Sequence, residues 1–278
     1  MSLKAAFVTL LTKTSYLAGA LVTLSPSIPL VVMVTPEFPQ EGRDVLKKRG
    51  IDMINVQSLQ PEDGVHSLAA ADERFRDTWT KLRAFELVQF EDMLVKENID
   101  DLMEVTLPPG GIAAVHVCAC NPRKFPHYPS DWIPENCAFS AVSGPMGASP
   151  SPTDHPRPYG QLNSGTVVLE PSTELAKSLY HVLATDARVP TWSFPDQDLL
   201  TAVFHGKWTA LPWYYNALRT LRTIHAPVWD DKVARCQGSP EEFGVVNSWW
   251  WAQYDKVCAK LQAEDVEGWK LVTSTVAS

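Results

Sequence analysis

The chain has 278 residues, 45% of them hydrophobic, enough for a sizeable core in one large domain or two small ones. Its formal charge of −8 argues against a general nucleic-acid binder, which carries a basic stripe, but leaves room for a local anion site. No run of about 18 apolar residues marks a membrane span.

The N-terminal "MSLKAAFVTLLTKTSYLAGALV" fits a signal peptide only loosely, because Lys13 and several Thr and Ser interrupt it. The expected location is the cytoplasm. Within this opening, "AAFVTLL" (Ala5 to Leu11) reads as a buried strand. "TSYLAGALVTL" follows at helical spacing, with Thr14 or Ser15 as N-cap. "PLVVMVTP" (Pro29 to Pro36) is a second buried strand. "EGRDVLKKRG" is a short amphipathic helix ending at Gly50, and "IDMINVQSL" is a third strand. "DERFRDTWTKLRAFELVQF" reads as a helix whose apolar face includes Phe75, Trp79, Leu82, Leu87 and Phe90. Strand and helix alternate, which predicts an α/β fold, a parallel sheet flanked by helices. Ligands of such sheets sit beyond the carboxyl ends of the strands. The loop "LTKTS" after the first strand is therefore a candidate nucleotide contact. Neither a Gly-x-Gly-x-x-Gly fingerprint nor a P-loop is present.

Next comes "FELVQFEDMLVKENIDD", where the adjacent acids Glu91 and Asp92 follow an apolar lead-in. "GGIAAVHVCAC" (Gly110 to Cys120) is another buried strand. Its Cys118 and Cys120 point to one face and read as small core residues of a reducing compartment; His116 reads as a core histidine. Five cysteines, an odd number, show no metal-type pairing. Residues 121 to about 161 are irregular and rich in Pro, Ser and Gly, which suggests an active-site lid or acceptor loop. "NSGTVVLEPS" (Asn163 to Ser172) returns to strand and "STELAKSLYHVLA" is a helix. "FPDQDLLTAVFHGKWTALP" reads as loop, short helix and strand, and "FGVVNSWWWAQYDKVCAKLQAED" as a helix with an aromatic anchor. The expected organisation is one domain, 1–278, with 226–278 a helical C-terminal extension.

Four stretches in order, "FVTLLTKTSYLAGALV", "TWTKLRAFEL", "NSGTVVLEPS" and "DQDLLTAVFHGKWTALPWYYNA", resemble glycosyltransferase family 8 across roughly Ala5 to Ala217. The family includes glycogenin-like and galactinol-synthase-like enzymes, and the fungal type is most similar. The resemblance implies a GT-A type fold and a retaining hexosyltransferase. Its donor would be a UDP-sugar (UDP-galactose or UDP-glucose), its acceptor a small polyol or sugar, and a manganese or other divalent ion would bridge the diphosphate. By the same resemblance, Leu10, Thr12 and Tyr16 hold the uridine, and Asn163 and Ser164 contact the donor sugar. Lys81 lies near the diphosphate, and Asp196 and Gln197 face the reaction centre. A homo-oligomer stays open.

The sequence also departs from the family. The Asp-x-Asp motif closes a hydrophobic strand in relatives; here Asp92 matches only its second acid, and the strand before it is largely missing. No histidine follows His225, and no Lys-Pro-Trp occurs anywhere. His225, in "TIHAPVW", stands in the wrong context for the third metal ligand. One carboxylate binds a hard divalent ion weakly. The alternative is thus a catalytically impaired relative with at most weak nucleotide binding.

Overall fold

A computed structural model describes residues 5–22, 28–89, 92–94, 100–152, 158–230 and 244–276. Its centre is a seven-stranded sheet: β1 (Ala5–Leu11), β2 (Leu30–Val34), β3 (Asp52–Asn55), β4 (Asp92–Leu94), β5 (Ile112–His116), β6 (Leu162–Leu169) and β7 (Trp208–Leu211). The strand order is β3-β2-β1-β4-β6-β5-β7. All pairings are parallel except those of β6, which runs against β4 and β5. This is the α/β sheet that the alternating elements predict.

The central strands are apolar throughout because both faces are covered. Along a strand, alternate side chains point to opposite faces, and the core divides accordingly. Ala6, Val8, Val31 and Met33 join Trp79, Leu82 and Phe85 in one layer. Val32 and Val34 join a second layer with Leu17, Val45, Leu46 and the C-terminal Leu261 and Val272.

The helices are α1 (Leu17–Val22), α2 (Gln40–Lys48), α3 (Thr173–Thr185), α4 (Pro195–Val203), α5 (Arg219–Ile224), α6 (Gly244–Glu264) and α7 (Val266–Thr275). α2 ends as its sequence predicts. Gly50 takes φ +70°, its N–H donates to Lys47 O at 3.0 Å and that of Ile51 to Leu46 O at 3.0 Å. This is a Schellman closure, which needs a left-handed residue after the cap. α3 starts at Ser172, whose Oγ accepts from the Leu175 N–H at 3.3 Å.

Four features differ from the sequence reading. The segment expected to be an α-helix through Phe90 is a run of 3-10 turns, Ala70–Glu86. Three residues per turn place side chains at i and i+3 in line, and the buried stripe is accordingly Trp79, Leu82 and Phe85. Leu87 lies past its end, and Phe90 and Glu91 lie outside the described residues. Second, a strand does stand at the expected gap. β4 pairs with β1 (Ala5↔Asp92 through Phe7↔Leu94) and, at Met93, with Leu169 of β6. Asp92 therefore opens a strand instead of closing one. Third, the tail forms two helices. α7 folds back and docks on α2, where Lys48 Nζ meets Asp265 Oδ1 at 2.6 Å. Fourth, β5 ends at His116, so the two cysteines follow the strand.

The long segment after β5 is tied down. Trp132 stacks on Phe194 with centroids 5.4 Å apart. Buried Asp72 accepts from Tyr128 Oη at 3.2 Å and pairs with His127 Nε2 at 3.0 Å. Burial, with Asp72 beside it, pushes the Tyr128 phenol up to about 12.

Candidate active site

The carboxyl end of β1, the 3-10 run, β6 and the start of α4 enclose a cavity of about 260 Å3. Six of the residues singled out in the sequence line it: Leu10, Thr12, Tyr16, Lys81, Ser164 and Asp196. Chain segments more than 180 residues apart in sequence supply them, and the sheet brings them together.

Each side chain is held by local chemistry. Asp196 lies in the first turn of α4, after Pro195 at the first helical position. A carboxylate there complements the exposed helix N–H groups and the positive end of the dipole. Asp198 Oδ2 accepts from the Phe194 N–H at 2.9 Å and closes the same turn. Lys81 reaches over from the 3-10 run, its Nζ 3.0 Å from Asp196 Oδ2. The Lys81 side chain is 41% exposed and that of Asp196 only 4%, so the ammonium end remains open to a ligand.

β6 presents its residues through an irregularity. Val167 pairs with Ala114, but the next pair is Asn163 with Val115. Ser164, Gly165 and Thr166 are looped out between them, as at an extended bulge. Gly165 and Ser164 thereby line the cavity. Asn163 stands behind them: its Nδ2 donates to Gln197 Oε1 at 2.8 Å, and its Oδ1 accepts from the Gly165 N–H at 2.9 Å and from Asn216 Nδ2. Gln197 Nε2 is buried without a partner. An unmet donor of this kind costs about 1–3 kcal/mol.

Two charged cavity residues escaped the sequence reading. Arg74 and Asp77 lie on the same wall as Lys81. Asp77 Oδ2 accepts from Thr12 Oγ1 at 3.2 Å and lies 3.8 Å from Lys13 Nζ. Their steps to Lys81, three residues and then four, put all three on one face of the run. Asn216 was missed as well; it lies in a 3-10 turn after β7.

Asp92 is not brought to this site. It stands level with Ala5, and Thr12 is seven residues further along β1, roughly 23 Å at 3.3 Å per residue. Among the described residues, the one group able to enclose a metal ion contains no carboxylate: Cys118, Cys120, Cys137 and His225. Among the described residues, the cavity carboxylates Asp77 and Asp196 are engaged by Thr12 and Lys81 and Asp92 stands away from them, so these residues do not assemble the carboxylate set for the divalent ion that the resemblance implies.

No family model matches the chain. It is 29% identical over 220 residues to galactinol synthase 1 of Solanum lycopersicum, covering 75% of this chain and 61% of that protein. It is 25% identical over 279 residues to galactinol synthase 1 of Ajuga reptans, covering 90% and 78%. For galactinol synthase 3 of Arabidopsis thaliana the identity is 28% over 236 residues, covering 80% and 67%. Among solved structures, the apo WbbM bifunctional glycosyltransferase matches with a TM-score of 0.49 and 14% identity, over 92% of this chain and 52% of that one.

The sheet is the mixed α/β sheet that the GT-A expectation calls for, and the named curated relatives reported above are galactinol synthases. The resemblance to glycosyltransferase family 8 is borne out, and the chain is a homologue of galactinol synthases over most of its length. It spans about 61% of the length of the tomato relative. Among the described residues no helix is long and apolar enough to cross a membrane.

Proposed function

We propose that the protein is a retaining hexosyltransferase that uses a UDP-sugar, UDP-galactose or UDP-glucose, and a small polyol or sugar acceptor. The observation that carries this reading is the Lys81–Asp196 pair at the mouth of the cavity, 3.0 Å apart. Leu10, Thr12 and Tyr16 supply an apolar and hydroxyl-bearing wall suited to a uridine. Arg74 and Lys81 offer positive charge to a diphosphate. As the glycosidic bond to the diphosphate breaks, negative charge grows on the leaving UDP, and the Lys81 ammonium stabilises it there. Asp196 holds that ammonium in place and would stabilise positive character at the anomeric carbon of a donor bound in the cavity.

Ser164 suits the sugar hydroxyls, because a hydroxyl offers both a donor and an acceptor. Asn163 and Gln197 stand behind the cavity wall and would act by holding Ser164 and Gly165 in place. Asp92 opens β4 level with Ala5, away from the carboxyl end of β1 where the cavity lies, and would not hold a manganese ion there. The cytoplasm suits the unbonded thiols of Cys118, Cys120, Cys137 and Cys258. The chain would act as one unit, with α6 and α7 as its C-terminal helical part.

The test is transfer from UDP-galactose and UDP-glucose to a panel of polyols and sugars, by wild type and Lys81→Met. Turnover that depends on Lys81 supports the reading. UDP binding without turnover would instead identify a catalytically impaired relative.

A further inference from the structure

Three thiols and one imidazole meet in the core, away from the cavity. Cys118 and Cys120 follow β5, Cys137 joins two 3-10 turns (Pro134–Asn136 and Ala138–Ala141), and His225 caps α5. All four are buried, and their ligand atoms all lie within 4.8 Å of one another. Cys118 Sγ and Cys120 Sγ are 3.7 Å apart, and Cys120 Sγ is 3.2 Å from His225 Nε2.

These distances have a geometric meaning. A zinc ion with Zn–S near 2.3 Å and Zn–N near 2.05 Å at tetrahedral angles spaces its ligands roughly 3.8 Å (S to S) and 3.6 Å (S to N). The 3.7 Å sulfur pair matches its edge, the 3.2 Å sulfur–nitrogen pair is shorter than its edge by about 0.4 Å, and all four atoms lie within 4.8 Å, so small side-chain shifts would close a tetrahedron. The sulfur pair is far too long for a disulfide, whose sulfurs stand about 2.05 Å apart. Coincidental packing of small apolar residues accounts for buried cysteines singly. It does not account for three of them converging with a histidine from a segment over 80 residues away.

We propose that Cys118, Cys120, Cys137 and His225 form a structural Cys3His zinc site. Four protein ligands and full burial leave no open position, the mark of a structural as opposed to a catalytic zinc. Binding converts three thiols to thiolates and releases their protons to solvent, with His225 ligating as the neutral imidazole through Nε2. The ion would clip together three separate pieces: the end of β5, the long segment that stacks on Phe194, and α5. That segment borders the start of α4, so the clip would hold one flank of the cavity. The assignment uses none of the residues proposed for transfer and stands independently of that function.

The experiment is elemental analysis of untagged protein, purified without chelator from zinc-supplemented cells, followed by cobalt substitution. Roughly one zinc per chain is expected. The cobalt form should show intense thiolate-to-metal charge transfer and the d–d bands of a tetrahedral ion. Cys137→Ser should weaken or remove the charge-transfer bands, and Cys258→Ser, outside the cluster, should leave metal content unchanged. Since Cys137→Ser could fail to fold, a thiol titration of native wild type is the second measurement. Three thiols that become reactive as zinc is released support the site. Metal-free folded protein, a disulfide among the three cysteines, or zinc that Cys137→Ser retains with unchanged cobalt bands overturns it.

Discussion

Lys81 Nζ lies 3.0 Å from Asp196 Oδ2, joining the 3-10 run to the first turn of α4. The carboxylate is buried and the lysine is partly open, so the pair serves two ends at once. It fixes the wall of the cavity and keeps a cation directed at the ligand space.

Replacing Lys81 by Met should therefore have two separable effects. Asp196 loses its cation in a buried position, which costs about 1–3 kcal/mol of stability. Turnover should fall further than stability predicts, by roughly 100- to 1000-fold, the usual loss when a single group that stabilises a leaving charge is removed. Asp196→Asn should preserve most of the melting temperature and still lower turnover. Thermal melts and transfer assays on the same preparations separate the two effects.

Gly165 is confined by its neighbours. A Cβ there would meet Asn216 Nδ2 at 2.7 Å and Asn163 Oδ1 at 2.8 Å. Gly165→Ala should push Asn163 off Gln197 and weaken UDP-sugar binding at least several-fold. Gly19, in α1, has nothing within 4 Å of such a Cβ. Gly19→Ala should stabilise the fold by about 0.5–1 kcal/mol and leave binding unchanged. Calorimetric titration and urea unfolding of both variants check the contrast.

Asp265 anchors α7. Its bond to Lys48, chiefly, holds its carboxyl below the usual carboxylate range. The folded state thus binds that proton less readily than the unfolded one. The associated stability is complete above the ordinary aspartate value of about 3.9 and is lost as pH falls through the lower folded value. Hydrogen exchange in α7 should accelerate below about pH 4, and Lys48→Met should leave α7 less protected at neutral pH and flatten this pH dependence. Gly268→Ala should free α7 at any pH, because its Cβ would collide with Asp265 Oδ2.

What the sequence could and could not reveal follows from the range of the interactions. The strands β1, β2 and β6 and the helix α2 with its Gly50 closure are written in local pattern and turn chemistry, and all stand where expected. The run Ala70–Glu86 was misread because an apolar stripe at 79, 82 and 85 satisfies helical and 3-10 spacing almost equally well. β4 was read as lost because its three residues owe their strand state to β1 and β6 on either side, not to their own pattern. His225 was set aside for its context, and the cysteines for their spacing. Their convergence is long-range, set by the sheet and α5, so no local motif announces it. The cavity residues were legible through family resemblance, whereas Arg74, Asp77 and Asn216 emerge only from the fold.

The most direct measurement is calorimetric titration of UDP into wild type and Lys81→Met, each with and without manganese. The account predicts UDP binding by wild type that manganese leaves unchanged and that Lys81→Met weakens. Absence of binding, or binding that appears only with manganese, would contradict it.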